Sequence, residues 1–328
     1  MSNKYYEFAS VFAVEIAAYL ALRESQGRQH LREWRYFVSL DRYLINENQD
    51  RKEIPPHIVE GWLQSLSHTG MSVNTKIVYI SHFSQFAKYL KTLGFSVFVP
   101  ERPIDDKSYA PYVFSKTEME QIFISVDKLC DIYPRSIFVK LQFPILLRIL
   151  YGCGLRLEES LGLQIGDYDE QSGVLLLRNA KGNKDRIVPI DDSLAQVLNL
   201  YILLIHKNNP KDMLLFANRN GDRNSGTAMR YWFNKTLEVA GIEKPELSRY
   251  SRNICLNCLR HTFAVHSFRK QDIAGIDMYS AAPLLSTYMG HAHVYGTEKY
   301  LHMAAENSED IIEKMTAYAP GLFPEAPR

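Results

Sequence analysis

Apolar positions in the amino-terminal third of the chain recur at three- and four-residue steps, the pattern of helices with one buried face. Phe8, Phe12, Ile16, Tyr19 and Leu20 predict a first helix from Glu7 to about Arg23. Leu31, Trp34, Phe37, Val38 and Leu44 predict a second from about Gln29 to Leu44. Pro55 and Pro56 suit the opening of a third, which carries Ile58, Val59, Trp62, Leu63 and Leu66. A fourth starts near Ser72–Asn74, runs through Ile77, Ile80, Phe83, Phe86, Ala87 and Leu90, and stops at Gly94, the expected breaker. Four amphipathic helices make a small all-helical domain over residues 1–98. Residues 99–112 hold Pro100, Pro103 and Pro111 among charged side chains with no periodicity, and read as an extended linker.

The pattern changes in residues 113–328, a second domain. Ser115 and Glu118 ahead of Met119, Ile122 and Phe123 form a capping-box signature that predicts a helix start. After a loop around Asp131–Ser136, a long apolar helix leads to Tyr151, and Gly152 and Gly154 break it just before Arg156. Val174–Arg178 and Arg186–Ile190 are β-rich and flank a turn at Lys181–Lys184, which predicts a hairpin. Helices are expected over Asp192–His206 and Thr227–Ala240, with a polar, basic loop at Asn218–Gly226 between them. The tail carries Ile311, Ile312, Met315 and Tyr318 at helical spacing. The fold class is mainly α, with one small antiparallel hairpin in an α+β carboxy-terminal domain.

Composition changes this picture little. A net charge of +1 on 328 residues neither requires nor excludes a basic face. The four cysteines, without a secretory signal, suggest a reduced, cytoplasmic protein. The most apolar segment, Phe138–Leu155, is interrupted by Lys140, Pro144 and Arg148, so it reads as a buried helix and no membrane association is expected. Cys255 and Cys258, followed by His261 and His266, have a spacing that does not suit a structural zinc site, and small core residues are the simpler reading.

The candidate chemistry lies in the second domain. Arg156, at a helix junction among apolar residues, reads either as half of a buried ion pair with Glu159 or as an anion-binding arginine oriented by that glutamate. Lys181 at the hairpin tip reads either as solvated or as a lysine that enters a DNA groove and gives a proton to a leaving oxygen. Lys184 and Arg186 beside it, and Arg219, Arg223 and Arg230 on or after the basic loop, are candidate phosphate contacts.

Gly154-Leu-Arg156-Leu-Glu-Glu159, Lys181-Gly-Asn-Lys-Asp-Arg-Ile-Val-Pro189, Leu259-Arg260-His261-Thr-Phe-Ala264 and Met289-Gly-His291 followed by Tyr300 occur in the order found in the tyrosine recombinases, or phage-type integrases. The resemblance is specific over about Phe114 to His302 and looser in the amino-terminal domain. It implies a SAM-like, four-helix core-binding domain followed by a catalytic domain. It implies that Tyr300 attacks the scissile phosphate and leaves a 3′-phosphotyrosyl link. Arg156 and Arg260 match the arginines that bind the phosphate oxygens, and Lys181 the lysine that protonates the leaving 5′-oxygen. His291 matches a phosphate-bonding position and Glu159 a supporting acid. No metal and no nucleotide cofactor are expected. The expected partner is double-stranded DNA with paired sites, in the nucleoid, bound by a tetramer linked through the last helix.

The sequence departs from the family pattern where a histidine is expected three residues before Arg260. Asn257 stands there, which can hydrogen-bond a phosphate but cannot carry a proton at neutral pH. Three readings follow: an active recombinase of a mobile element, a non-catalytic DNA-binding regulator with the same fold, or a type IB-like topoisomerase. A longer stretch between Arg260 and His291, including Asp272–Pro283, reads as a helix-and-loop insertion.

Overall fold

A computed structural model of the chain describes residues 6–26, 30–68, 71, 73–101, 111–133, 138–180, 184–243, 254–291 and 293–306. They fall into two units, one holding the amino-terminal helices and the other beginning at Pro111. The expected linker lies largely outside the described residues, as do the hairpin tip with Lys181 and the tail from Ile311.

In the first unit, α1 (Ala13–Ser25), α2 (His30–Asn46), α3 (Pro56–His68) and α4 (Val73–Thr92) match the four expected helices. The start of α1 differs from the expected Glu7, and Asp41 on α2 is the reason. Its carboxylate, fully buried, accepts the backbone N–H groups of Ala9 (3.1 Å) and Ser10 (3.0 Å) and the hydroxyl of Tyr6 (2.8 Å). Those bonds hold the residues before α1 out of the helix. Phe37, Trp62, Phe83 and Phe86 fill the centre of the unit. A two-residue parallel pair, β1 (Glu53–Ile54) with β2 (Ser96–Val97), closes one edge and is too short for any alternation to announce it.

The second unit opens as the capping box predicts. Ser115 N–H donates to Glu118 Oε2 at 2.7 Å, Glu118 N–H returns to Ser115 Oγ at 3.1 Å, and α5 (Lys116–Ile132) follows. A π-helical turn at Phe138–Gln142 leads into α6 (Phe143–Gly152), where Pro144 occupies the first turn and its missing N–H costs nothing. This helix is buried on nearly every side, and among the described residues no helix is long and apolar enough to cross a membrane. After α7 (Leu157–Leu161), β3 (Tyr168–Asp169), β4 (Val174–Ala180) and β5 (Lys184–Pro189) form an antiparallel sheet in that order. Leu175, Leu177 and Val188 turn its inner face into the core. Helices α8 (Asp192–Ile205) and α9 (Gly226–Val239) pack around that core, and Ser225 caps α9 by accepting the Ala228 N–H at 3.1 Å.

The last three helices are α10 (Asn257–Ile273), α11 (Met278–Met289) and α12 (Tyr295–Glu306). The stretch including Asp272–Pro283, expected to be helix and loop, holds the end of α10, a turn through the left-handed Gly275, and the first half of α11. Ala264, Val265, Phe268, Ala282, Met289 and Leu301 join the three helices in a core of their own.

Gly154 links the two cores. It has φ +58°, and a Cβ placed there would stand 2.3 Å from the Phe263 ring of α10. Gly154→Ala combines left-handed strain with overpacking, and is expected to destabilise the second unit by about 2–4 kcal/mol. Urea unfolding followed by tryptophan fluorescence measures this.

Candidate active site

The carboxy-terminal end of α11 leaves carbonyls without helical partners, and three arginines from three other elements meet them there. Arg186 of β5 donates Nε to Tyr288 O at 3.1 Å. Arg260 of α10 donates Nη2 to Met289 O at 2.6 Å, and Arg156, just before α7, donates Nη2 to Gly290 O at 3.3 Å. Gly290 makes this possible: it has φ +67°, and a Cβ would come within 2.7 Å of Arg186 Nη1. The negative end of the helix dipole favours the gathered positive charge.

Glu159 supplies the counter-charge. Its carboxylate takes both Nη groups of Arg186, at 3.0 and 2.9 Å, together with Nη1 of Arg156 at 2.7 Å and the Arg156 N–H at 2.8 Å. Arg260 Nη1 stands 3.9 Å away and donates instead to Gly154 O at 2.6 Å. Burial raises the Glu159 pKa, but the hydrogen bonds from Arg186 and Arg156 more than reverse this and hold it at about 2. Three guanidinium groups thus share one carboxylate, which leaves an excess positive charge in a half-closed site. Burial and the neighbouring Arg156 draw the Arg260 guanidinium down to about 10, and it stays charged at neutral pH.

His291 completes the edge of this cluster. Its Nε2 lies 3.1 Å from Arg260 Nη2 and its Nδ1 2.7 Å from Thr297 Oγ1. A guanidinium only donates, so Nε2 is the acceptor and Nδ1 carries the proton toward Thr297. Burial, with the charges of Arg260, Arg156, Lys299 and Arg186, lowers the His291 pKa to about 4, so the ring is neutral. The Tyr300 ring stacks beside His291 with centroids 6.2 Å apart, and Lys299 Nζ lies 4.8 Å from the centre of the Tyr300 ring. Tyr300 is only 2% exposed and belongs to the α10–α11–α12 core. Its hydroxyl lies 2.7 Å from Nδ1 of His261.

The structure therefore gathers Arg156, Glu159, Arg260, His291 and Tyr300. Asn257 is exposed in the first turn of α10, on the face that also carries Arg260 and His261. Arg186 differs from expectation: its guanidinium turns inward onto Glu159 and Tyr288 O and is no exposed phosphate contact. Lys184 starts β5, but its side chain lies outside the described residues, as does Lys181. Arg219, Arg223 and Arg230 are exposed, and Arg223 is bound to Glu158 through both its carboxylate (3.2 Å) and its backbone carbonyl. Cys255 and Cys258 lie with sulfurs 3.9 Å apart, and His266 Nδ1 is 2.9 Å from the Tyr151 hydroxyl. Sequence reasoning missed Thr297 and the backbone carbonyls that seat the arginines. A carbonyl has no side-chain signature, and only Gly290 hints at it.

A family model described as the phage integrase family matches residues 113–307, more than half of the chain. The chain belongs to the phage integrase family. Among its relatives, the tyrosine recombinase XerC of Listeria welshimeri is 28% identical over 279 residues, covering 84% of this chain and 85% of the relative. XerC of Thermodesulfovibrio yellowstonii is 26% identical over 288 residues, covering 85% and 88%. In fold, the chain is similar to the XerH site-specific recombinase in its post-cleavage complex on palindromic difH, with TM-score 0.63 and 20% identity over 85% of this chain and 78% of that one. The Tn1549 transposon integrase in complex with transposon right end DNA is similar at TM-score 0.62 and 16% identity, covering 92% and 98%. Over those stretches the XerH and Tn1549 integrase structures share the fold of this chain.

Glu159→Gln tests the electrostatic account of this integrase site. At pH 7 the variant leaves three guanidinium groups without their carboxylate and is expected to lose about 3–5 kcal/mol. In the unchanged protein the stabilisation from ionised Glu159 is complete above its ordinary value of 4.5 and is lost as pH falls toward about 2. The stability difference between the two proteins should therefore shrink over that window. Urea midpoints at pH 7 and pH 3 measure it.

Proposed function

We propose that this chain is a site-specific DNA recombinase that cleaves and rejoins duplex DNA through a 3′-phosphotyrosyl link on Tyr300, serving the integration or excision of a mobile element. The observation that carries the reading is the arginine pair Arg156 and Arg260, held by Glu159 and the α11 carbonyls with His291 and Tyr300 at its edge. An excess of fixed guanidinium charge suits a phosphodiester, and suits still better the five-coordinate transition state on which charge grows. Both guanidinium groups are held in place by protein acceptors before substrate arrives, so little reorganisation is needed during the reaction. In this reading Tyr300 Oη attacks phosphorus, Lys181 protonates the departing 5′-oxygen, Asn257 hydrogen-bonds the phosphate, and His291, whose Nε2 accepts from Arg260, acts by holding that guanidinium. The phosphotyrosyl link conserves the bond energy, and the 5′-hydroxyl of a partner strand reverses it without a nucleotide cofactor. Charge stabilisation comes from arginine, so the reaction is independent of metal.

Residues 1–98 then serve as the core-binding domain and residues 113–328 as the catalytic domain, joined by residues 99–112. The known relatives support DNA as the substrate: the XerH structure is a complex with difH, the Tn1549 integrase a complex with transposon end DNA, and a lambda integrase dimer is bound to a COC′ core site. Assembly as a tetramer on paired sites is supported by an apolar groove of about 480 Å³ between α10 and α11, lined by Phe268, Ile276, Ala281, Leu284 and Leu285. In this reading the groove receives the tail of a second copy, whose sequence carries Ile311, Ile312, Met315 and Tyr318.

Covalent trapping tests the reading. The protein is incubated with labelled duplex DNA from the flanks of its own gene, denatured, and examined for retained label. The natural protein should form an adduct in the presence of EDTA, and Tyr300→Phe should abolish it while leaving DNA binding within about twofold, since the phenol acts on the transition state. An undiminished adduct in Tyr300→Phe would remove Tyr300 from its role. Cleavage that appears only in Asn257→His would instead identify a DNA-binding regulator.

A further inference from the structure

Attack by Tyr300 requires that the phenol give up its proton, and the residue at the family's usual histidine position is no acceptor for it. Asn257 cannot be protonated near neutral pH, and it lies exposed at the start of α10. His291 is committed as well: its Nε2 accepts from Arg260, its Nδ1 is engaged with Thr297, and the surrounding arginines and Lys299 oppose a further positive charge on its ring. Glu159 is held by Arg156 and Arg186. The side chain that does meet the phenol is His261, one helical turn after Asn257 and next to Arg260. Its Nδ1 lies 2.7 Å from Tyr300 Oη, with the ring centroids 5.5 Å apart and the planes tilted by 40°. That distance is within the reach required of a general base.

We propose that His261 is a catalytic residue, the general base that accepts the Tyr300 proton during strand cleavage. The inference rests on the reading of Tyr300 as nucleophile. As the Oη–P bond forms, the phenolic proton moves to Nδ1 of His261. The P–O5′ bond breaks, and the 5′-oxygen leaves with a proton from the general acid, assigned above to Lys181. The step begins with a neutral imidazole and a lysine ammonium and ends with an imidazolium and a neutral amine. In the rejoining step the amine takes the proton of the incoming 5′-hydroxyl, and the imidazolium returns its proton to the departing phenolate. Protons balance over the cycle, and the base survives the loss of the family histidine because it is a different residue of the same helix.

The test compares the natural protein, Tyr300→Phe, His261→Asn and His261→Ala in single-turnover cleavage of nicked duplex DNA, on an ordinary substrate and on one with a 5′-bridging phosphorothiolate. The second substrate has a leaving thiolate that needs no proton, so it isolates the nucleophile's side of the reaction. Asparagine can place a hydrogen-bonding atom near the position of Nδ1 yet cannot hold a proton, which separates holding Tyr300 from deprotonating it. Thermal melts and gel-shift affinities establish that each variant folds and binds DNA.

His261→Asn is expected to cleave about 100-fold more slowly or worse on both substrates, with DNA affinity retained. Added imidazole should restore part of the lost rate to His261→Ala. Cleavage by His261→Asn within about threefold of the natural protein would overturn the assignment. So would a loss that disappears on the phosphorothiolate substrate, or a rate increase that makes His261 a restraint on Tyr300. An adduct from the natural protein that is absent in Tyr300→Phe and unaffected by His261 changes overturns only this inference. No adduct from the natural protein, or one that persists in Tyr300→Phe, overturns the parent reading and the inference with it.

Discussion

Like-charged guanidinium groups can be gathered in a half-buried site only where enough acceptors face them, and the end of α11 meets that need. The consecutive carbonyls of Tyr288, Met289 and Gly290 each take one arginine, and Glu159 takes the fork of Arg186 together with Nη1 of Arg156. A single carboxylate against three guanidinium groups leaves the cluster positive. A site built this way is stable without its anion yet retains a strong preference for one. Removing the carboxylate or forcing the backbone at Gly290 would disperse the charge.

Packing holds this arrangement in place. Gly154 offers its carbonyl to Arg260 only because its left-handed backbone lets the Phe263 ring lie against it. Phe263 stacks on Tyr288, and the Tyr288 hydroxyl donates to Pro189 O at the end of β5. The phosphate-binding candidates, the end of α11 and the hairpin that leads to Lys181 are thus joined by one continuous set of contacts. Arg186, on the hairpin strand β5, belongs to both the hairpin and the arginine cluster, since it bonds Tyr288 O and Glu159. Tyr300 reaches the same cluster from the α10–α11–α12 core, so its position beside His291 is tied to the packing of α12.

Much of this was legible in the sequence. Helical periodicity marked the four amino-terminal helices because each buries one face, and Ser115 with Glu118 marked a helix start because a capping box is a local bond between near neighbours. Arg156, Glu159, Arg260, His291 and Tyr300 could be named because their chemistry is carried by side chains in ordered motifs. What the sequence could not determine depends on contacts between distant residues. The late start of α1 follows from Asp41 capturing the N–H groups of Ala9 and Ser10 across the unit. The inward turn of Arg186, the carbonyl ligands at the end of α11 and the approach of His261 to Tyr300 arise only when α7, β5, α10, α11 and α12 converge. Residue type and spacing determine which groups are available; long-range packing decides which atoms of those groups meet.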